Sequence, residues 1–388
     1  MAAPTFQIIN QDHDGTGIST ITPVGGSLRW TYRMAQMGGP GDIFWDVALS
    51  DANLGTDDFA PLRTDWRLQM DGTEILQGGL VTSVNTGSDS TGVFGAVKVA
   101  GLDWLHYLEQ PYPFDYENVA SDQATNQLAD ATQLFKVWDG ATQQTVVGDL
   151  IASIAGYDGD PGFSPVYDGT GWTQTLSKEI AFGDTTTLLD MIVEIASLDD
   201  PRGFDMWVEE DGTIRMTAPR LVVPSAVTPV YTLDDSTIVA PPLDWTNSGP
   251  LATDTVAMGS ADNNTSRIGF SKYQASRDVY RRWVEISPAS LSDGTTIAAL
   301  ADGIGYQDRF PHKDLKVTVR PDLLDPGDNT AGFRNLLGQA IGVNYDVSPY
   351  HRINANFWIV EQALYSPDSC NWLCDLTLSQ IYGTSAAP

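Results

Sequence analysis

The chain has 388 residues, 42% of them hydrophobic, with 36 Gly, 22 Pro and only 18% charged. That length holds two or three domains, the apolar content builds real cores, and the turn-rich mixture with Thr, Val and Trp favours β-structure over disorder. Acidic residues outnumber basic ones 50 to 21, for a net charge of −29, which disfavours a conventional nucleic-acid binder and an anionic membrane surface.

The N-terminal stretch MAAPTFQIINQDHDG has no basic region followed by an apolar core, so no signal peptide is expected. No stretch of the chain has the length and apolarity of a membrane span. Residues 1–112 read as mostly β. Strands are expected over 43-IFWDVALS-50 and within 66-WRLQMDGTEILQGGLVTSVNTG-87, where Asp71-Gly72 marks a hairpin turn. Gly78-Gly79 suggests a bulge or sharp bend in the return strand. In 96-AVKVAGLDWLHYLEQ-110, Val97 and Val99 alternate as in a strand, which breaks at Gly101. Leu102, Leu105 and Leu108, with Trp104, then fit the face of a short amphipathic helix. Pro111 and Pro113 stop that helix.

Residues 113–224 carry 19 acidic and 5 basic side chains, nearly half the net charge. A helix is expected over 145–156, with Val146, Leu150, Ile151 and Ile154 on one face. A second is expected over 184–198, capped by Asp184 or a following Thr, with Leu188, Leu189, Ile192 and Ile195 as its stripe. The stretch 203-GFDMWVEEDGTIRMTAP-219 reads as a hairpin turning at Asp211-Gly212. Helix then hairpin predicts a compact α+β insert.

Residues 225–388 return to β. Strands are expected at 254–260, 280–287, 313–322, 339–346, 354–366 and 370–381, with a short helix over 295–308 and a small helix-containing subdomain near 290–335. The tail 383–388 is expected to fray. Residues 66–110 and 339–381 share a loose strand-rich layout, as two related barrels would. If 370–381 is a strand, Cys370 and Cys374 face one side but stand roughly 13 Å apart. They read as buried thiols of a reduced compartment, and a CxxxC without a second ligand pair is a weak zinc signal.

No catalytic, cofactor-binding or metal-binding constellation emerges. His13, His106, His312 and His351 are scattered: His13 in a turn, His106 on the helix surface, His351 in a loop. There is no GxSxG, HExxH, phosphate-binding loop or calcium-binding loop. A glycosidase pair would need two carboxylates from distant positions. Asp199-Asp200 and Glu209-Glu210-Asp211 are the runs to consider, and both read as solvent-facing loops. Trp45, Trp66, Trp207, Trp283 and Trp358 alternate with aliphatics, the pattern of a core rather than of a sugar-binding surface.

The order of the pieces resembles the hub protein family of bacteriophage tails, including baseplate hubs of contractile tails and the hub region of siphophage tail-associated proteins. The likeness rests on the hairpin 68-LQMDGTEILQGGLVTSV-84, the joint Val99, Gly101 and Asp103 with its short helix, and the hairpin 204-FDMWVEEDGTIRM-216. It implies a mostly β fold with an α+β insert: a first tube-like β-barrel module at 1–112, an acidic insert at 113–224, and a second barrel module at 225–388. The helix at 102–110 would buttress the end of a small barrel. The resemblance further implies a structural, non-enzymatic virion protein without cofactors, assembled in the host cytoplasm and located at the tail tip. Three copies would give six barrels, matching a sixfold tail tube above and a threefold tip, fibre or spike below. The acidity would then line the channel through which genomic DNA passes without specific binding, or serve only solubility. A carbohydrate- or receptor-binding tail protein and, behind it, a glycoside hydrolase are the alternatives.

Overall fold

A computed structural model of the chain describes residues 4–12, 19–48, 59, 61–62, 64–88, 94–113, 121–122, 127–128, 135–154, 165–181, 184–197, 203–218, 227–240, 245–248, 254–262, 265–272, 283–286, 294–308, 312–325, 327–348, 351–368 and 371–380. The first region holds β1 (Phe6–Asp12), β2 (Ser19–Ile21), β3 (Arg29–Arg33), β4 (Asp42–Ala48), β5 (Thr64–Met70), β6 (Glu74–Ser88) and β7 (Phe94–Asp103). The insert holds β8 (Ser121–Asp122), β9 (Gln127–Leu128), β10 (Phe135–Thr142), α1 (Gln143–Ala152), β11 (Pro165–Gly169), β12 (Thr175–Ala181), α2 (Leu188–Ala196), β13 (Asp205–Val208) and β14 (Ile214–Ala218). Then come β15 (Tyr231–Asp234), β16 (Ile238–Ala240), β17 (Trp245–Ser248), β18 (Asp254–Asp262), β19 (Thr265–Lys272), β20 (Trp283–Ile286) and α3 (Gly294–Asp308). The chain closes with β21 (His312–Val319), β22 (Ala340–Ser348), β23 (His351–Asp368) and β24 (Asn371–Gln380). The fold is mostly β with large antiparallel sheets and a small helical contribution.

The β-rich ends of the chain form one 14-stranded sheet. The bond between them is the antiparallel pairing of β3 with β23, from Arg33↔Glu361 to Arg29↔Tyr365. Their interior is shared as well. Phe6 and Trp30 from the first region meet Phe333 and Trp372 from the last, with Phe6–Trp372 and Phe6–Phe333 ring centroids 4.7 and 5.5 Å apart. Tilted and edge-on rings at such spacings add specific attraction to the area they bury. Of the tryptophans expected in a core, Trp45, Trp66, Trp207 and Trp358 lie in this one, and the Trp283 side chain lies outside the described residues.

A second core is built mainly by the insert. Both helices begin where a threonine caps them: Thr142 Oγ1 accepts from Thr145 N at 3.2 Å, and Thr187 Oγ1 accepts from Asp190 N at 3.0 Å. Val146, Leu150, Ile151 and Ile154 of the first helical stretch and Leu188, Leu189, Ile192 and Ile195 of the second are buried as their spacing predicts. The fully buried Lys178 of β12 pairs with Glu194 of α2 at 2.8 Å. Parts of β18 and α3, expected with the second β module, also reach this core. Ala257, Ile297, Leu300 and Ala301 pack into it, and Ser177 N donates to Thr296 Oγ1 at 3.3 Å.

Three local expectations change. The strand does not break at Gly101, since β7 runs to Asp103 and Gly101 pairs with Ile43 and Val81. A Cβ there would stand 2.4 Å from Trp66 Nε1, so the glycine makes room for a buried indole rather than ending a strand. The following helix is a short 3-10 turn, Trp104–Leu108. Gly78-Gly79 is not a bulge: both pair regularly with Arg67 and Trp66, and the register shifts fall at Leu68/Gln69 and Val81/Ser83. The two glycines admit neighbours, because a Cβ on Gly78 would lie 2.8 Å from the Trp104 ring and one on Gly79 1.9 Å from Leu102 O. The Asp71-Gly72 turn is as expected, with φ of 51° and 72°.

Candidate functional site

The four histidines form no site. His106 stands on the 3-10 turn with Nδ1 2.7 Å from Glu109 Oε2. His312 opens β21, and His351 opens β23 rather than lying in a loop. His13, Cys370, Asp199 and Asp200 lie outside the described residues, as does the tail 383–388. Among the described residues no three His, Cys, Asp or Glu side chains come close enough to hold a metal ion. Nor is any described helix long and apolar enough to cross a membrane. Cys374 is fully buried, and burial pushes its thiol pKa well up, which keeps it protonated and inert.

The run Glu209-Glu210-Asp211 is where the structure concentrates polar order: it lies in a turn with Asp211 exposed, as expected, but Glu209 and Glu210 are half-buried. Glu209 accepts from Trp207 Nε1 at 3.0 Å and from Arg215 Nε at 2.7 Å, while Arg215 also pairs with Asp168. Glu210 Oε1 accepts from Asn335 N at 3.1 Å, and Asn335 Nδ2 donates to Val208 O at 2.9 Å. Burial raises the Glu210 pKa, whereas hydrogen bonds from Thr213 lower that of Asp211. Next to Asn335, Arg334 bridges Glu74 of the first region and Asp328 at 2.5 and 2.7 Å. These contacts bind the insert hairpin, the first β region and the last one at a single joint.

The other side of the joint is the 3-10 turn. Asp103, almost fully buried, accepts from Gly41 N at 2.7 Å and caps the turn by accepting from Leu105 N at 2.9 Å. Burial pushes its pKa from 3.8 up to about 7, against the lowering pull of those two N–H groups and of Arg33. Tyr107 Oη donates to Asp65 at 2.9 Å, and Gln36 Nε2 donates to Phe204 O at 3.0 Å. Trp104, Leu105 and Leu108 bury into the second core, so the turn ties the first β region to the insert. A cavity of about 280 Å³ remains between Arg67, Ile75, Gly78, Trp104, Glu210 and Asp211.

The arrangement holds three parts of the chain in fixed relation. The sequence singled out Gly101, Asp103 and the Glu209 run but gave no sign of Gln36, Arg334, Asn335 or Gln362. Those are single polar residues in turns and on strands, and only the fold brings them to their partners. Gln362, for example, donates to Gly332 O at 2.9 Å and accepts from Leu336 N at 3.0 Å.

Comparison with known proteins rests on structure. No family model matches the sequence, and no curated protein matches it either. Solved structures match over nearly the whole chain. A tail protein from Neisseria meningitidis MC58 aligns with a TM-score of 0.61 at 14% identity, covering 97% of this chain and 96% of its own. The 43 kDa tail protein of prophage MuSo2 from Shewanella oneidensis gives 0.59 at 11% identity, with 96% and 98% covered. A prophage tail protein from Listeria monocytogenes EGD-e gives 0.50 at 13% identity, with 97% and 95% covered. The chain therefore has the fold of phage tail proteins.

Proposed function

We propose that this chain is a structural protein of a phage tail, acting as the trimeric hub at the tail tip. The observation that carries the reading is the end-to-end fold likeness to phage tail proteins, which includes the insert and both β regions. The fused β regions support it further. Two β modules joined edge to edge through β3 and β23 would act as two tube-forming units per chain, so three chains would offer six to a sixfold tube while keeping threefold symmetry for a tip or fibre below. In such a ring the net charge of −29 would face the passing DNA and repel it, letting the genome leave without specific binding. The modules then divide as 1–112, 113–224 and 225–388, with parts of β18 and α3 reaching the core of the insert. Assembly takes place in the host cytoplasm and the product resides in the virion tail.

The reading is tested by counting copies. Light scattering on the purified chain across a range of concentrations is expected to give a trimer, and imaging of the tail is expected to find three copies confined to its tip. Copies repeated along the tube, or a single copy at the tip, would refute it. A carbohydrate-binding tail protein, the alternative, needs exposed rings to stack on sugar. Trp45, Trp66, Trp207 and Trp358 are all buried, which favours the structural role.

A further inference from the structure

The cavity of about 280 Å³ at the joint lies between the β5–β6 hairpin and the turn of the insert hairpin, with the Trp104 indole as its third wall. Arg67 stands between Trp66 and Leu68, both wholly buried, so it lies on the sheet face turned away from the core. Its neighbour across the strand pair is Gly78, which has no side chain to cover it. The Trp104 ring uses that room: a Cβ on Gly78 would lie 2.8 Å from the ring, and one on Gly212 of the turn 3.3 Å from its Nε1. Glu210 and Asp211 bring two carboxylates to the cavity, and Ile75 adds an apolar side chain. In a chain of 50 acidic and 21 basic residues, cations find carboxylates readily: Arg33, Arg215, Arg320 and Arg334 each hold at least one. Arg67 makes no ion pair and no hydrogen bond among the described residues, although Glu210 and Asp211 line the same cavity. Trp104 Nε1 likewise donates to none of them. Glu210 uses Oε1 for Asn335 N at 3.1 Å and leaves Oε2 without a described partner. Arg67 and Trp104 thus offer donors, Glu210 and Asp211 offer acceptors, and no ion pair among the described residues joins the two sets.

We propose that this cavity binds a free α-amino acid with an apolar side chain, its carboxylate on Arg67 and Trp104 Nε1 and its ammonium on Glu210 and Asp211. A lone anion there meets two carboxylates and a lone cation meets Arg67, whereas a small zwitterion satisfies both sets through charge-assisted hydrogen bonds. Ile75 and the Trp104 ring make the rest of the site apolar. Its volume of about 280 Å³ lies just below the usual span of drug-sized pockets, which suits a molecule this small. A residue inside a peptide has neither free group and a chain end keeps only one of them on its backbone, so the free amino acid is the occupant. Bound between sheet and turn, it adds a bridge across the joint and stabilises the fold by mass action. The inference does not depend on the tail reading.

The probe is L-leucine, titrated into the intact protein by calorimetry, with amide hydrogen exchange to locate it. Leucine is expected to bind at millimolar concentrations, to slow exchange at 104–108 and 209–213, and to raise the melting temperature as its concentration rises. Leucinamide, which lacks the carboxylate, and N-acetyl-leucine, which lacks the ammonium, are each expected to bind at least about tenfold more weakly. Arg67→Gln changes an exposed side chain and is expected to melt as wild type does while losing at least about tenfold in leucine affinity. Glu210→Gln keeps an oxygen for Asn335 N and is expected to weaken leucine but not N-acetyl-leucine. Absence of leucine binding, equal binding of either analogue, unchanged affinity in Arg67→Gln, or binding that leaves exchange at both segments unchanged would overturn the proposal. The analogues test the two charges without altering the protein, so the outcome does not rest on any variant folding.

Discussion

Asp103→Asn tests whether burial or hydrogen bonding governs the joint. Asp103 is 3% exposed, and burial lifts its pKa from 3.8 to about 7. Between those values the folded protein keeps a proton that the unfolded chain has released. Stability from this group is therefore complete below pH ~4 and is lost as pH rises through ~7. At about 1.4 kcal/mol per unit, a rise of about three units amounts to about 4 kcal/mol. Asparagine cannot titrate, and with one oxygen it cannot accept from both Gly41 and Leu105. That loss costs about 1–3 kcal/mol at any pH. Urea unfolding of both proteins, followed by tryptophan emission from about pH 4 to about pH 8, is expected to show wild type ahead at the acid end. The difference should shrink by about 4 kcal/mol up to pH ~7 and change sign between about pH 4.5 and about pH 6. Other titrating groups are common to both proteins and cancel. A difference that stays flat, or that grows in favour of wild type with pH, would mean that the two N–H donors and Arg33 outweigh burial, and the account of the joint would fail.

Thr187→Ala removes the cap of α2 and is expected to lower stability by about 1 kcal/mol in the same urea assay. Gly101→Val drives a side chain into the Trp66 indole, whose Nε1 lies 2.4 Å from the Cβ position. Soluble yield and thermal melting should report a loss of at least ~1–3 kcal/mol. Leu150→Ala, at a position with no exposure, should cost about 2–5 kcal/mol, read as a lower urea midpoint. Acrylamide should leave most of the tryptophan emission of the native protein unquenched, since seven of the eleven tryptophans, Trp30, Trp45, Trp66, Trp104, Trp138, Trp207 and Trp358, are buried; quenching of most of the emission would revive a sugar-stacking surface.

What could be read from the sequence was whatever repeats. The helical stripes at 146–154 and 188–195 and the alternation in 204–216 each follow from the period of their secondary structure. The Asp71-Gly72 turn follows from residues that tolerate positive φ. Gly101 and the Gly78-Gly79 pair read as a strand break and a bend because a glycine that makes room for a neighbouring chain or a distant indole looks the same in sequence as one that bends a strand. The 3-10 turn was drawn as a helix because Leu102, Leu105 and Leu108 keep a three-residue spacing that both share. Glu209 and Glu210 read as a solvated run because Arg215 lies six residues from Glu209 and Asn335 lies 125 from Glu210.

The hairpin at 204–216 carries the reason why such distant partners matter. In β13 every residue is buried, which an ordinary alternating strand with one wet face does not require. Trp207 faces the core shared by the two β regions, while Met206 and Val208 face the core of the insert. A two-residue period thus divides one strand between two interiors. Shifting its register by one residue would put Trp207 into the insert and the smaller side chains into the sheet core, a mismatch in both. The polar contacts at Glu209, Glu210 and Asn335 hold that register at the strand's end, and Gln36 holds it at the beginning through Phe204 O and Met206 N. A chain whose insert was only tethered by linkers would need none of them. Their presence ties the insert to the sheet at both ends of the strand and so fixes how the two stand against each other.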